Sequence, residues 1–185
     1  MKINSIESLY DAIALEEKLR YLFFWGHTNK TNQVTKSCFS QWYESPFTID
    51  DITYPTAEHY MMAEKAKLFG DESRWEQILH CNHPGEAKKI GRKVQGFQQD
   101  IWRNHRFEIV VGGNTAKFSQ NESLKEFLLH TNDRVLVEAS PYDRIWGIGL
   151  AQDHPDINNP WKWKGLNLLG FALMEVRTKL AISDE

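Results

Sequence analysis

The apolar positions in the middle of the chain follow a helical period. From Thr56 to Phe69 they recur every three or four residues, so the sequence predicts a helix with Thr56 as its N-cap and Gly70 at its end. Pro84 favours the first turn of a second helix, because proline has no amide hydrogen to leave unbonded there. The same period predicts helices over roughly residues 5–19, 84–93, 100–111 or as far as 116, 122–130 and 167–180.

Short runs rich in aromatic and β-branched residues predict strands. Asp50-Asp51 separates two such runs by only two residues, which indicates a tight hairpin. The predicted strands and extended segments cover residues 21–25, 38–43, 47–49, 52–54 and 134–139.

Together these elements predict an α+β fold, with several helices packed around a small, mainly antiparallel sheet in a single domain. A chain of 185 residues is long enough to bury a core of its own. We expect residues 1–19 to form an N-terminal helical extension and residues 20–185 to form the main domain.

Composition restricts the classes of function. The hydrophobic fraction of 41% and the charged fraction of 25% are those of an ordinary globular protein, and the seven tryptophans suggest a groove that accepts a flat ligand. A net charge of -3 argues against a broad nucleic-acid surface. With two cysteines, no recognisable leader and no membrane-spanning run, the sequence predicts a cytoplasmic protein that does not bind membranes.

Glu58 and Lys65 form the first candidate site. They are seven residues apart, about two helical turns, so both point to the same, mostly apolar face of the predicted helix. Taken singly, each has a structural explanation: an acid favours the first turn of a helix, and a lysine can extend its ammonium into water. Because helical side chains lean toward the N-terminus, Lys65 leans toward Glu58, and a reacting carbon fits between their tips.

Asp143 and Trp146 form the second candidate site, in a loop that follows a predicted strand. A turn aspartate and a core tryptophan would explain them structurally. The functional alternative is that a heteroaromatic base stacks on the indole while the carboxylate contacts the polar edge of the base. Gly147 would then allow a ligand close to the backbone.

A basic run on the helix after Pro84 is the third feature. Such a run is usually a solvated face, but Arg92, beside Gly91, is expected to turn inward, where its guanidinium can hold a phosphate. The run consists of Lys88, Lys89, Arg92 and Lys93, with Lys117 farther along the chain.

Metal and cofactor chemistry is not predicted. His80-Cys81-Asn82-His83 has no second ligand pair at zinc-finger spacing, and the chain has no helical two-histidine motif. It also lacks a phosphate-binding loop and a dinucleotide-binding glycine motif.

Six motifs, in their order and spacing, resemble the NADAR or YbiA-like N-glycosidase family over about residues 20 to 180. They are Glu58-His-Tyr-Met-Met-Ala-Glu-Lys65, Ala87-Lys-Lys-Ile-Gly-Arg92, Ala116-Lys-Phe118, Glu138-Ala-Ser-Pro-Tyr-Asp143, Trp146-Gly147 and Gly165-Leu-Asn-Leu-Leu-Gly170. The resemblance implies an α+β fold and hydrolysis of the bond between a phosphorylated ribose and a base-like amine. Early riboflavin synthesis would supply such substrates as ribosylamino-pyrimidine phosphates.

Two alternatives remain open at this point. The chain could remove ADP-ribose from guanine in nucleic acid, as an antitoxin or defence component, or it could be a non-catalytic module that binds NAD or ADP-ribose. The presence of Glu58, Lys65 and Asp143 together disfavours the non-catalytic alternative. The sequence does not indicate an oligomeric state.

The resemblance also implies residue roles. Glu58 would stabilise the developing sugar cation and activate water, Asp143 would orient or protonate the leaving base, and Lys65 would either bind the substrate or attack the anomeric carbon. The family often has Ser-Asn-Phe where this chain has Ser40-Gln41-Trp42, which predicts a different base pocket. The segment 151–164 would form a lid or a specificity loop. The predicted substrate-binding residues are Gly26, Gln41, Trp42, Arg92, Trp146 and Gly147.

Overall fold

A computed structural model describes residues 2–28 and 33–182. Part of the polar loop predicted after Gly26, residues 29–32, lies outside this range. The chain divides into two compact units, the first formed by the residues up to Ser40 and from Ser123 onward, and the second by Gln41–Glu122. The first unit is therefore discontinuous in sequence.

The helices and strands are numbered in chain order. They are α1 (Ile6–Ala14), β1 (Tyr21–Phe24), β2 (Phe47–Ile49), β3 (Ile52–Tyr54), α2 (Ala57–Leu68), α3 (Glu72–His80), α4 (Pro84–Gly91), α5 (Gln99–Ser119), α6 (Glu122–Leu129), β4 (Val135–Glu138) and α7 (Leu168–Ile182). The predicted α+β class is confirmed. The division into an extension of residues 1–19 and a domain of residues 20–185 stays a prediction.

In the first unit, β1 and β4 pair in parallel, from Tyr21 opposite Val135 to Phe24 opposite Glu138. Helix α7 packs closely on β4, since a Cβ atom on Gly170 would lie 2.0 Å from the Leu136 carbonyl oxygen. We expected mainly antiparallel pairing, and for β1 and β4 this expectation is wrong. The two strands are far apart in sequence, so no short turn forces the chain to reverse direction between them.

In the second unit, β2 and β3 form the predicted antiparallel hairpin. Asp50 and Asp51 have φ values of 51° and 62°, the left-handed conformation that a two-residue turn of this kind requires. Helix α2 packs against α3, α4 and α5. Its inner face is formed by the buried residues Ala57, Glu58, His59, Met61, Met62, Ala63 and Ala66.

Two sequence-based assignments differ from the structure. The segment predicted to be extended over residues 38–43 begins instead with a 3₁₀ turn, Lys36–Phe39, whose N-cap is Thr35. Helix α3 was not predicted, because its sequence is mostly polar and Ile78 is its single buried residue. Its first turn is fixed by Asp71, whose carboxylate accepts a hydrogen bond from the Arg74 amide over 3.1 Å.

Among the residues that the structure describes, no helix combines the length and the apolarity needed to cross a bilayer.

Candidate functional site

Glu58 lies in the first turn of α2 with its side chain turned inward. Thr56 caps the helix, and its hydroxyl accepts a hydrogen bond from the His59 amide. Glu58 is only 3% exposed, and its own amide donates to the Gln41 carbonyl oxygen over 2.9 Å. The predicted burial of this carboxylate is therefore confirmed, and a buried carboxylate is a strong local charge.

Lys65 lies two turns farther along α2. Its ammonium donates a hydrogen bond to the Gly91 carbonyl oxygen over 2.8 Å. The nitrogen also lies 4.4 Å from the ring centroid of Phe97 and 5.6 Å from that of Trp102. Sequence reasoning missed both aromatic residues, because they come from a segment more than 30 positions away and no local motif connects them with Lys65.

The environment of Lys65 makes its amine easier to deprotonate. Burial lowers the pKa of Lys65 below its ordinary value, the positive charge of Arg92 lowers it further, and the carboxylate of Glu58 opposes both effects. Free amine is thus available at a lower pH than for an ordinary lysine, which is the condition for a lysine nucleophile.

Gln41 connects the start of α2 to α5. Its carbonyl oxygen accepts the Glu58 amide, and its side-chain oxygen accepts a hydrogen bond from the Asn114 amide nitrogen over 2.7 Å. Both residues are buried. The Gln41 backbone thus holds the start of α2, its side chain bonds to α5, and direct contact of that side chain with a substrate stays a prediction.

A cleft of about 720 Å³ opens between the start of the second unit and α4. We call it the basic cleft, and its lining residues are Trp42, His83, Gly85, Glu86, Lys88, Lys89 and Arg92. The cleft brings together two of the predicted binding residues, Trp42 and Arg92.

Arg92 does not turn inward as expected. It is exposed, because it is the C-cap of α4, where the helix ends and the side chain extends into the cleft rather than into the core. From this position its guanidinium both lines the basic cleft and lowers the pKa of Lys65.

The remaining predicted residues lie in the first unit. Because β1 and β4 are parallel, their carboxyl ends lie at the same edge of the sheet, and the segments carrying Gly26 and Asp143 leave from that edge. Gly26 has a φ of 84°, which only glycine adopts readily. The rings of Trp25 and Tyr142 approach to 6.4 Å between centroids at the same edge.

Asp143 organises its own loop. One carboxylate oxygen, Oδ1, accepts hydrogen bonds from the amides of Ile145 and Trp146, each over 2.8 Å. The Asp143 amide donates in turn to the Ser140 hydroxyl over 3.2 Å. The turn role considered for this aspartate is therefore present, and its catalytic role stays a prediction.

Gly147 has a packing reason to be glycine. A Cβ atom there would lie 2.9 Å from the Glu138 carbonyl oxygen and 3.1 Å from that of Asp143. The backbone that approaches Gly147 is thus the chain's own, and ligand binding by Gly147 and the half-buried Trp146 stays a prediction.

The segment 151–164 consists mainly of turns and is anchored by two tryptophans. The buried Trp163 donates its indole hydrogen to the Ile157 carbonyl oxygen over 2.8 Å. Trp161 stacks on Tyr10 of α1 with ring centroids 4.1 Å apart. A role of this segment as a lid or specificity loop stays a prediction. In the described part of the chain, no group of three or more histidine, cysteine or acidic residues is arranged to hold a metal ion.

Comparison with known proteins assigns the chain to a family. The model of the NADAR domain matches residues 23–181 and so spans parts of both units. The chain belongs to the NADAR family. The predicted resemblance is thereby confirmed, and so is the fold, since the NMR structure of the Escherichia coli protein YbiA is similar with a TM-score of 0.72 and 30% identity. That match covers 89% of this chain and 87% of the YbiA chain.

Similar NADAR proteins are named as enzymes. An N-glycosidase of Acanthamoeba polyphaga mimivirus is 45% identical over 164 residues, which are 85% of this chain and 95% of the viral protein. A chloroplastic riboflavin biosynthesis protein of Zea mays, PYRR, is 34% identical over 138 residues, which are 71% of this chain and 20% of the maize protein. The predicted hydrolase of N-glycosyl bonds is confirmed at the level of this enzyme class.

Proposed function

We propose that this NADAR protein hydrolyses the C1′–N bond of a phosphorylated ribosylamine, and that its substrates are the ribosylamino-pyrimidine phosphates of early riboflavin synthesis. One observation carries the proposal: the buried Glu58 and the pKa-lowered Lys65 share one face of α2, and Arg92 acts on Lys65 from the basic cleft. The name of the maize relative supports the link to riboflavin.

Glu58 supplies the negative charge that the reaction needs. As the C1′–N bond breaks, positive charge develops on the sugar carbon, and a carboxylate already buried stabilises it without solvent reorganisation. The same carboxylate then accepts a proton from the attacking water.

Lys65 has two possible roles, binding the substrate as a cation or attacking C1′ as a free amine. The lowered pKa favours attack. In that route the Lys65 nitrogen bonds to C1′, the C1′–N bond to the base breaks, and the base leaves with a proton. Opening of the ribose ring gives an imine, and water hydrolyses it to release the sugar phosphate and restore the amine.

Replacement of Glu58 tests the proposal. Glu58→Gln keeps the shape and removes the charge, and we expect turnover of the ribosylamino-pyrimidine phosphate to fall by about two to four orders of magnitude. Glu64→Gln is the matched control, because Glu64 lies on the same helix and its carboxylate pairs with Lys67 over 3.1 Å.

The assay measures released base and sugar phosphate, and thermal unfolding confirms that both variants are folded. Unchanged turnover in Glu58→Gln would overturn the assigned role. Parallel incubation with DNA carrying guanine-linked ADP-ribose tests the other substrate class. Release from that DNA alone would overturn the riboflavin-type substrate, and release from neither would favour a binding module.

A further inference from the structure

The basic cleft carries a local positive charge in a chain whose net charge is -3. Lys88, Lys89 and Arg92 contribute three cations to its lining, against the single carboxylate of Glu86. Like charges gathered in one concave surface raise the local concentration of anions. The charge pattern therefore points to an anionic ligand.

One wall of the basic cleft is aromatic. The Lys88 ammonium lies 5.9 Å from the ring centroid of Trp42, and the imidazole of His83 meets the same indole edge-on at 6.0 Å. Gly85 allows this packing, since a Cβ atom there would lie 3.1 Å from His83 Nδ1 and 3.3 Å from Trp42 Cη2. Trp42 itself is only half-buried and lines the cleft.

Size distinguishes a bare anion from a larger ligand. Pockets of about 300–1,000 Å³ hold small organic molecules, and the basic cleft, at about 720 Å³, falls in that range. Lysine and arginine are the residues that bind phosphate, and a tryptophan face stacks on flat heteroaromatic rings. Both kinds of group line the same cavity.

We propose that the basic cleft binds a nucleotide-like ligand, with its phosphate held by Lys88, Lys89 and Arg92 and its flat ring stacked on Trp42. The identification of this ligand with the substrate rests on the proposed function. Lys88, Lys89 and Trp42 thus determine specificity for phosphorylated ligands that carry a ring.

Binding measured without turnover tests the two halves of the ligand separately. Uridine 5′-monophosphate carries both halves, ribose 5-phosphate lacks the ring, and uridine lacks the phosphate. We expect the nucleotide to bind more tightly than either fragment in isothermal titration. Equal affinity for the nucleotide and ribose 5-phosphate, or for the nucleotide and uridine, would overturn the proposal.

Lysine variants test the phosphate contacts. We expect Lys88→Gln and Lys89→Gln each to weaken binding of the nucleotide and ribose 5-phosphate by about tenfold, and to leave uridine binding unchanged. Lys93→Gln removes the same charge from a neighbouring exposed position outside the cleft lining and serves as the control. An equal loss in Lys93→Gln would show a nonspecific charge effect and contradict the assigned contacts.

Tryptophan variants test the ring contact. Trp42→Leu should weaken nucleotide binding by about tenfold and leave ribose 5-phosphate unaffected, while Trp42→Phe, which keeps a flat ring, should retain most of the affinity. Nucleotide binding that is unchanged in a folded Trp42→Leu protein would overturn the stacking role. The two proposals fail in different ways. Nucleotide binding without hydrolysis of the ribosylamino-pyrimidine phosphate would refute only the proposed function. Hydrolysis unaffected by the lysine variants would refute only the assignment of the basic cleft as the site that binds the substrate phosphate.

Discussion

The Lys65 ammonium of α2 donates a hydrogen bond to the carbonyl oxygen of Gly91, the last residue of α4, over 2.8 Å. Carbonyl groups at a helix C-terminus lack partners within the helix and carry partial negative charge, so they attract a cation. The bond therefore holds the amine at a defined point, beside the Phe97 ring. Arg92, the residue after Gly91, has the opposite effect on the ammonium, because its positive charge lowers the pKa of Lys65.

Borohydride trapping should show whether Lys65 attacks the substrate. We expect reduction during turnover to leave a stable sugar phosphate adduct on Lys65, because an imine to this amine is reduced to a secondary amine. Peptide mapping by mass spectrometry locates the adduct. Lys67→Met should still form it, since Lys67 lies on the same helix but pairs with Glu64, whereas Lys65→Met should not. Turnover of the native protein without an adduct would contradict attack by Lys65 and would favour its role in binding the substrate.

Arg92 should control the pH at which the enzyme becomes active. Arg92→Gln removes a positive charge that lowers the pKa of Lys65, so this pKa should rise and free amine should appear only at higher pH. The rise of kcat/KM with pH, which reports groups of the free enzyme, should therefore move to higher pH. Lys93→Gln should leave the profile in place. A shift to lower pH in Arg92→Gln would contradict the proposed coupling.

Asp143 allows its loop role to be separated from its predicted catalytic role. Asp143→Asn keeps an oxygen that can accept the Ile145 and Trp146 amides, so stability should be retained, while Asp143→Ala loses both bonds and should cost about 1–2 kcal/mol in the free energy of unfolding. If the carboxyl group protonates the leaving base, the asparagine variant should still lose activity by about two orders of magnitude or more. Activity of Asp143→Asn near that of the native protein would contradict the catalytic role, and only the role of Asp143 in its loop would remain.

Replacing two neighbouring glycines of α5 by alanine should have opposite effects on the free energy of unfolding. At Gly113 a Cβ atom would lie 2.4 Å from Tyr60 Cδ1, and that ring is held between Phe47 and Tyr54, so overpacking should cost about 1–3 kcal/mol. At Gly112 the nearest atom is the Tyr60 hydroxyl at 3.5 Å, an ordinary contact. Gly112→Ala should therefore stabilise the helix by about 0.5–1 kcal/mol. Urea unfolding measures both, and equal effects would contradict the packing described for Tyr60.

Short-range features could be predicted from the sequence. The Thr56 cap, the Gly70 end of α2 and the Asp50-Asp51 hairpin turn all depend on residues a few positions apart, and the structure confirms each of them. The inward direction of Glu58 follows from helical periodicity in the same way. Helix α3 escaped prediction because its sequence is mostly polar and buries only Ile78.

By itself, the sequence determined the α+β fold class, the presence of α2 and the placement of Glu58 and Lys65 on one face of that helix, because these follow from local spacing. The tertiary structure alone decided the parallel pairing of β1 with β4, the aromatic rings beside Lys65 and the exposure of Arg92 at the basic cleft. Each of these depends on segments that are distant in the chain and adjacent in space. Their packing sets the local charge and solvation of Lys65, and no local pattern encodes it.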